Sequence, residues 1–217
     1  MRTFDFSAFL FILEAAKWTL ALSLIAFVGG AILGLVIALA RTSESRTARG
    51  LAIGFIQIFQ GTPLLLQLFL IFFGAPVLGL DINPWVAAGA ALILNSAAFL
   101  GEIWRGCIEA IPRGQLEAAQ ALNLKYAARM RDVILPQAFR IALAPTVGYT
   151  VQIIKGTSLA AIIGFTEITR AGQIINNATF QPLEVFTTVA ALYFVICWPL
   201  SLLAAHMERK RARALAR

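Results

Sequence analysis

Residues 113–140, RGQLEAAQALNLKYAARMRDVILPQAFR, decide the reading of the chain. Arg105, Arg113, Lys125, Arg129, Arg131 and Arg140 fall in or just before this stretch, and the segments on either side are apolar and long enough to cross a bilayer. A basic insert bounded by spans is a cytoplasmic loop by the positive-inside rule. Within it, 115–122 and 124–133 are rich in residues that lose little side-chain entropy in a helix. Two short helices are expected, with Asn123 between them in the left-handed conformation that asparagine tolerates best among non-glycine residues. The second helix is expected to stop before Pro136, because the residue preceding a proline resists helical geometry. A hairpin this short is not stable alone, so it has to dock on its own membrane domain or on a partner.

Composition fits that reading. The 217 residues are 59% hydrophobic and 13% charged, with a mean hydropathy of +0.81; an average soluble domain carries about 25% charge. This is an integral membrane protein. Its net charge is +7, and 14 of the 18 Lys and Arg gather at 41–49, 105–140 and 209–217. Such clustering orients spans rather than coating one face, so no nucleic acid is expected. Cys107 and Cys197 lie in no C-x-x-C pattern and read as small apolar fillers. The single His206 closes the last span. One His and two distant Cys assemble neither a metal site nor a Ser-His-Asp set, and no G-x-x-x-x-G-K-[ST] loop is present. No catalytic residue, metal or bound cofactor is expected; Glu102 with Glu167 is a weak pair for a membrane enzyme.

Outward from the loop, spans are expected at about 18–40, 51–73, 85–105, 139–154 and 183–205, the first of them uncharged and long enough to cross a hydrocarbon core about 30 Å thick. All belong to one domain, 1–217, with the N-terminus outside and the C-terminus cytoplasmic. Residues 1–16 show no charged start and small-residue cleavage site, so no cleaved signal peptide is expected. Gly29, Gly30 and Gly34 form either a close-packing face or the ordinary glycine enrichment of membrane helices. Gln60-Gly61-Thr62-Pro63 predicts a kink or a break in the second span. If the helix restarts at Pro63 with Thr62 as its cap, free amides and a positive dipole end point into the membrane, where transporters hold a carboxylate. Otherwise the kink only shapes packing. Gln67 lies a turn further on.

Asn95 and Ser96 fall near the middle of the third span, so they are expected to face the bundle interior or an aqueous cavity. Glu102 either pairs with Arg105 at three-residue spacing or serves substrate binding or gating. The apolar run after Pro136 is too long for one crossing. The chain is expected to turn at Gly156 and continue as a re-entrant or interfacial piece to about Phe180. Lys155 holds a substrate carboxylate, pairs with Glu102 or Glu167 of an assembled dimer, or snorkels to the interface. Glu167 and Arg170 are expected to form a surface ion pair.

Glu117-Ala118-Ala119, Asn123 and Ile134-Leu135-Pro136-Gln137-Ala138 resemble the EAA loop of permease subunits in binding-protein-dependent ABC importers. Arg105-Gly106, Ile111-Pro112, Gly114-Gln115 and Lys155-Gly156-Thr157-Ser158-Leu159 are similar to the polar amino acid group of those permeases. The resemblance runs from about 61 to 208. It departs at Asn123, where the family usually has glycine, and at Gly156, where an acidic or amide residue is common.

The resemblance implies an all-α membrane protein with five transmembrane helices and a cytoplasmic helical coupling loop at about 106–136, the type I ABC importer transmembrane domain. It further implies a place in the bacterial inner membrane lipid, two ABC ATPase subunits that carry the ATP and Mg, and a second permease subunit, identical or different. An external, periplasmic or extracellular substrate-binding protein would deliver the cargo, a polar amino acid, with 166–181 as a candidate contact. The ATPase-coupling residues are expected to be Glu117, Ala118, Ala119, Leu122, Asn123, Leu135 and Pro136. The substrate-binding candidates are Thr62, Gln67, Asn95, Ser96, Glu102 and Lys155, with Lys155 and the Thr62 helix start for the carboxylate and Glu102 for the ammonium. The rival reading is a stand-alone channel or secondary carrier for a small polar solute, although five spans alone do not wrap a pathway on all sides.

Overall fold

The computed structural model describes residues 3–215, and every regular element among them is a helix. Helix α1 (Phe6–Thr42) has 37 residues, roughly 55 Å at 1.5 Å per residue, and so overshoots the crossing expected at 18–40. Asp5 starts it by accepting a hydrogen bond from the Ala8 amide at 2.9 Å. The added turns hold because Ile12 and Ala15 bury one face against Ile168, Ala171, Val185 and Val189. The mixed composition before Trp18 thus conceals an amphipathic helix start.

The second crossing is two helices, α2 (Arg46–Gly61) and α3 (Leu64–Val77), bent by 100° across Thr62 and Pro63. Helix α4 (Pro84–Glu109) starts with proline in its first turn and the Asn83 side chain accepting from Val86 N at 3.0 Å. The short helices α5 (Arg113–Ala121) and α6 (Tyr126–Ala128) follow, and a π segment (Arg129–Ile134) leads into α7 (Leu135–Gly156). A 3-10 segment (Thr157–Ile163), α8 (Ile168–Thr179) and α9 (Pro182–Leu215) complete the chain.

Glycine sets the closest approach. A Cβ built on Gly30 lies 2.6 Å from Ser96 Cβ, and one on Gly34 lies 3.1 Å from the Ala97 carbonyl oxygen. The glycine face is therefore a packing face, which no larger residue could form without moving α4. Because residue numbers rise together along this contact, α1 and α4 run parallel. Helix α7 runs against α4: Trp104 Nε1 donates to Thr146 Oγ1 at 2.8 Å, Phe99 stacks on Tyr149, and Gly156 lies beside Leu92. Helix α9 in turn opposes α7, with Gly148 near Ala204 and Arg211 reaching the Ile141 carbonyl.

Three helices, α1, α4 and α9, are long and apolar enough to cross a membrane alone. The bent pair α2/α3 and the pair formed by 126–163 with α8, bent by 46°, qualify as two more. Since α1, α4 and α9 all point the same way, the chain has to come back twice, and these two bent pairs are the pieces that lie between. Leu22, Leu68, Leu92, Ile153 and Phe165 close the centre of the bundle. At the end where α4 begins, Trp85 meets Trp18 and Phe165 edge-on.

Two expected stops are displaced. Helical geometry continues through Pro136, with Leu135 at φ −62°, ψ −39°, because the π segment resets the hydrogen bonds just before the proline and leaves it in the first turn of α7. The chain does not turn at Gly156, which is helical at φ −61°; it bends at Gly164, φ +87°, where only glycine avoids a Cβ penalty.

Candidate functional site

The basic loop folds as a braced hairpin. Helix α5 ends with the Asn123 amide donating to the Gln120 carbonyl at 2.8 Å and the Leu124 amide to the Ala119 carbonyl at 3.1 Å. Asn123 supplies the left-handed residue, φ +55°, that this double-bonded terminus requires. Helix α5 packs on the π segment, burying Ala119 on one side and Met130 and Ile134 on the other. Glu117, Ala118 and Asn123 stay exposed, and Leu122 holds 76% of its surface in the open. Leu135 is half-buried and Pro136 exposed at the start of α7.

The back of the hairpin is fastened to the α1–α2 turn. Tyr126 donates to the Thr42 carbonyl at 3.4 Å, Arg129 pairs with Glu44 at 3.3 Å, and the Arg129 guanidinium lies over the Tyr126 ring. Arg131 grips Asp132 through two hydrogen bonds, 2.7 and 3.0 Å, which hold that carboxyl below the usual carboxylate range. The exposed face of α5 is therefore connected to α7 through the π segment, which is itself fastened to the turn between α1 and α2.

The break in the second crossing is closed by side chains. Gln67 Nε2 donates to the Phe59 carbonyl at 2.9 Å and to the carbonyl and hydroxyl oxygens of Thr62, both at 3.0 Å. Asn95 Nδ2 donates to the same Phe59 carbonyl and to Gln67 Oε1, both at 3.2 Å, while Gln60 reaches across to the Ala98 carbonyl. These bonds satisfy carbonyls that the end of α2 leaves orphaned. Thr62 is not the cap of the next helix. Its hydroxyl donates backward to the Ile58 carbonyl at 2.7 Å, and the extended residue before α3 is Pro63, which supplies no side-chain hydrogen bond. Ser96, next to Asn95, is buried against Gly30 and faces the Tyr149 hydroxyl.

Thr62, Gln67 and Asn95 are thus brought together with Ser96 alongside, and the two charged candidates stand apart. Glu102 lies seven residues along α4 from Asn95, roughly 10 Å of rise. There it takes two hydrogen bonds from Arg105, 2.6 and 2.9 Å, with Arg41 Nε at 3.9 Å and Glu109 on the far side of Arg105. Lys155 sits near the level of Leu92, exposed and without an ion pair among the described residues.

Glu167 and Arg170 do not form the surface pair their spacing suggested. Glu167 is fully buried and starts α8, accepting from the Thr169 and Arg170 amides at 2.9 and 2.8 Å and from the Tyr193 hydroxyl at 2.6 Å. The Arg170 guanidinium turns to Gln173 instead. Thr19 accepts from the Ile168 amide at 3.2 Å, so one knot joins α1, α8 and α9. The sequence carried no signal for it, since its members are spread over more than 170 positions. Among the described residues no group of three metal-ligating side chains gathers.

Residues 9–213 match the model of the binding-protein-dependent transport system inner membrane component family. The chain belongs to that family. This permease is 38% identical over 201 residues to the glutamine transport system permease protein GlnP of Escherichia coli (strain K12), covering 92% of each chain. It is 37% identical over 211 residues to the arginine transport system permease protein ArtQ of Bacillus subtilis (strain 168), covering 95% of this chain and 96% of that one. Among solved structures, a chain of an amino acid ABC transporter crystallised with histidines superposes with a TM-score of 0.87 at 34% identity, covering 96% of this permease and 100% of that chain. The permease therefore has the type I ABC importer transmembrane fold. It is a multi-pass membrane subunit and not the ATPase.

Proposed function

We propose that this permease receives a polar amino acid from an external binding protein and passes it inward when two cytoplasmic ATPases, closing on ATP and Mg, draw a pair of such hairpins together. The observation that carries the reading is the hairpin: Glu117 and Ala118 face outward on α5, which packs on the π segment that leads into α7, and Tyr126 and Arg129 beside it fasten the hairpin to the α1–α2 turn. An exposed grip mounted on three crossing elements transmits a rigid-body movement, and two states with different affinity for the ATPase supply the switch. The exposed Leu122 gives the grip an apolar tip for an ATPase cleft. A second permease subunit, identical or different, completes the walls of the pathway.

For the cargo, the proposed surface is the break and its surroundings. Helix α3 begins without a side-chain cap, so its first amides and positive end are free to meet a carboxylate, and the unpaired Lys155 ammonium offers a second anchor. Thr62 stands exposed at the break, and Gln67, Asn95 and Ser96, buried behind it, hold the shape of that surface. Glu102, held by Arg105 and Arg41, belongs to the inner end of the same path.

The test is Glu117→Lys in the transporter assembled with its ATPase and binding protein. The subunit is expected to insert normally while ATP-driven uptake falls within the roughly 5- to 150-fold range of a lost coupling between sites. Uptake at the unaltered rate, or uptake by the permease without any ATPase, refutes the proposal and favours a stand-alone carrier.

A further inference from the structure

A groove of about 570 Å³ opens between α1, α4 and α7, away from the broken span. Phe27 and Leu35 line one side, and Ile108, Phe139, Ala142 and Leu143 are among the residues of the other. Its walls include two hydrogen-bonding side chains, Trp104 and Thr146, and these are bonded to each other at 2.8 Å. Apart from the Cys107 thiol the groove therefore presents hydrocarbon and no free polar group, which suits neither an amino acid nor a nucleotide.

Its depth fits one leaflet. The lining runs along α7 from Leu135 to Val147, twelve steps or roughly 18 Å of rise, against about 15 Å for half of a 30 Å hydrocarbon core. The groove lies towards the end of the bundle where α4 finishes and α7 begins, the end that carries the basic clusters.

Two arginines stand at that end. Arg211 donates to the Ile141 carbonyl at 3.4 Å, between the lining residues Ala138 and Ala142. Arg140 is exposed beside the lining residue Phe139. Neither forms an ion pair among the described residues, a feature they share with Arg46, Arg49, Arg113 and Arg209; what sets these two apart is their position beside residues that line the groove. A hydrocarbon slot one leaflet deep, with two guanidiniums free of carboxylate partners at the headgroup level, has the complementarity of a negatively charged lipid.

We infer that the α1–α4–α7 groove binds one anionic phospholipid of the inner leaflet, its acyl chain along α7 and its phosphate on Arg140 and Arg211. The site is separate from the cargo path, and its test reads lipid binding rather than uptake. The assembled transporter carrying W18F, W85F and W198F leaves Trp104 as the sole tryptophan of the permease, in the groove wall. In nanodiscs, brominated phosphatidylglycerol is expected to quench Trp104 at a lower mole fraction than brominated phosphatidylcholine, by about fivefold for each arginine engaged. Arg140→Ala with Arg211→Ala is expected to make the two lipids equal.

Equal quenching in the permease that keeps both arginines overturns the inference. So does absence of quenching by either lipid, which means that a second protein chain covers the groove. Native mass spectrometry of the transporter with all its tryptophans gives an independent reading: one phosphatidylglycerol per permease is expected, lost in the double arginine variant. Retention in that variant also overturns the site.

Discussion

Gln67 shows how much a single amide can carry. Its Nε2 serves the Phe59 and Thr62 carbonyls while its Oε1 takes a bond from Asn95, so one side chain caps the end of α2 and ties the bend to α4. Gln67→Leu keeps the volume and removes every one of these bonds. In a dry interior the stranded carbonyls and the Asn95 amide cost about 1–3 kcal/mol, so a clear drop in the unfolding midpoint of the purified permease is expected. Adding Asn95→Leu should cost much less than its effect alone, because both residues act on the same carbonyl. An unchanged midpoint for Gln67→Leu would mean that the bend holds without its staple. The sequence offered both residues as substrate-binding candidates, but a separation of 28 positions gives no periodic signal that they bond to each other. Thr62 misled for a local reason: Thr-Pro looks like a cap and a first turn, yet Pro63 at ψ 136° is still extended and the helix begins one residue later.

At the level of elements, the parallel contact of α1 with α4 depends on missing side chains. A Cβ on Gly30 meets Ser96 Cβ at 2.6 Å, and the flank of the same contact is backbone that cannot swing aside. Gly30→Leu is expected to force the helices apart at a cost of about 1–3 kcal/mol, read as lost thermal stability in detergent with insertion intact. Gly54→Leu is the control: nothing lies within 4 Å of a Cβ there, and no loss is expected. Equal stability of the two variants would leave the glycine face without a packing role. Glycine spacing in the sequence offered this face but could not separate it from the general abundance of glycine in membrane helices, because the partner's small residues, Ser96, Ala97 and Gly101, lie in another span. The hairpin was more legible. Helix formers around one left-handed asparagine are local chemistry, and α5 and its terminus follow from it. The π segment was not legible, since it reconciles a continuous helix with Pro136 through hydrogen bonds that neither residue type announces.

For the molecule as a whole, the direction of the helices decides how many times the chain crosses. Hydropathy marked apolar stretches long enough to cross but left 157–179 as a re-entrant or interfacial piece, because a bent pair reads equally well as a span or as a surface piece. The packing register adds what hydropathy lacks: α1, α4 and α9 point one way, and each ends in or just before one of the three basic clusters. With Lys and Arg retained on the cytoplasmic side, the bent pairs α2/α3 and 126–163 with α8 are expected to supply the two return passes, a proposal of five passes with ends on opposite sides. A green fluorescent protein fused after α9 is therefore expected to fluoresce, alkaline phosphatase at the same point to be inactive, and a tag ahead of α1 to be cut by protease added outside. Phosphatase activity after α9, with the tag ahead of α1 still cut from outside, would mean an even number of passes. One bent pair would then enter and leave by the same face, and if that pair is 126–163 with α8, α5 and the end of α9 lie in different compartments.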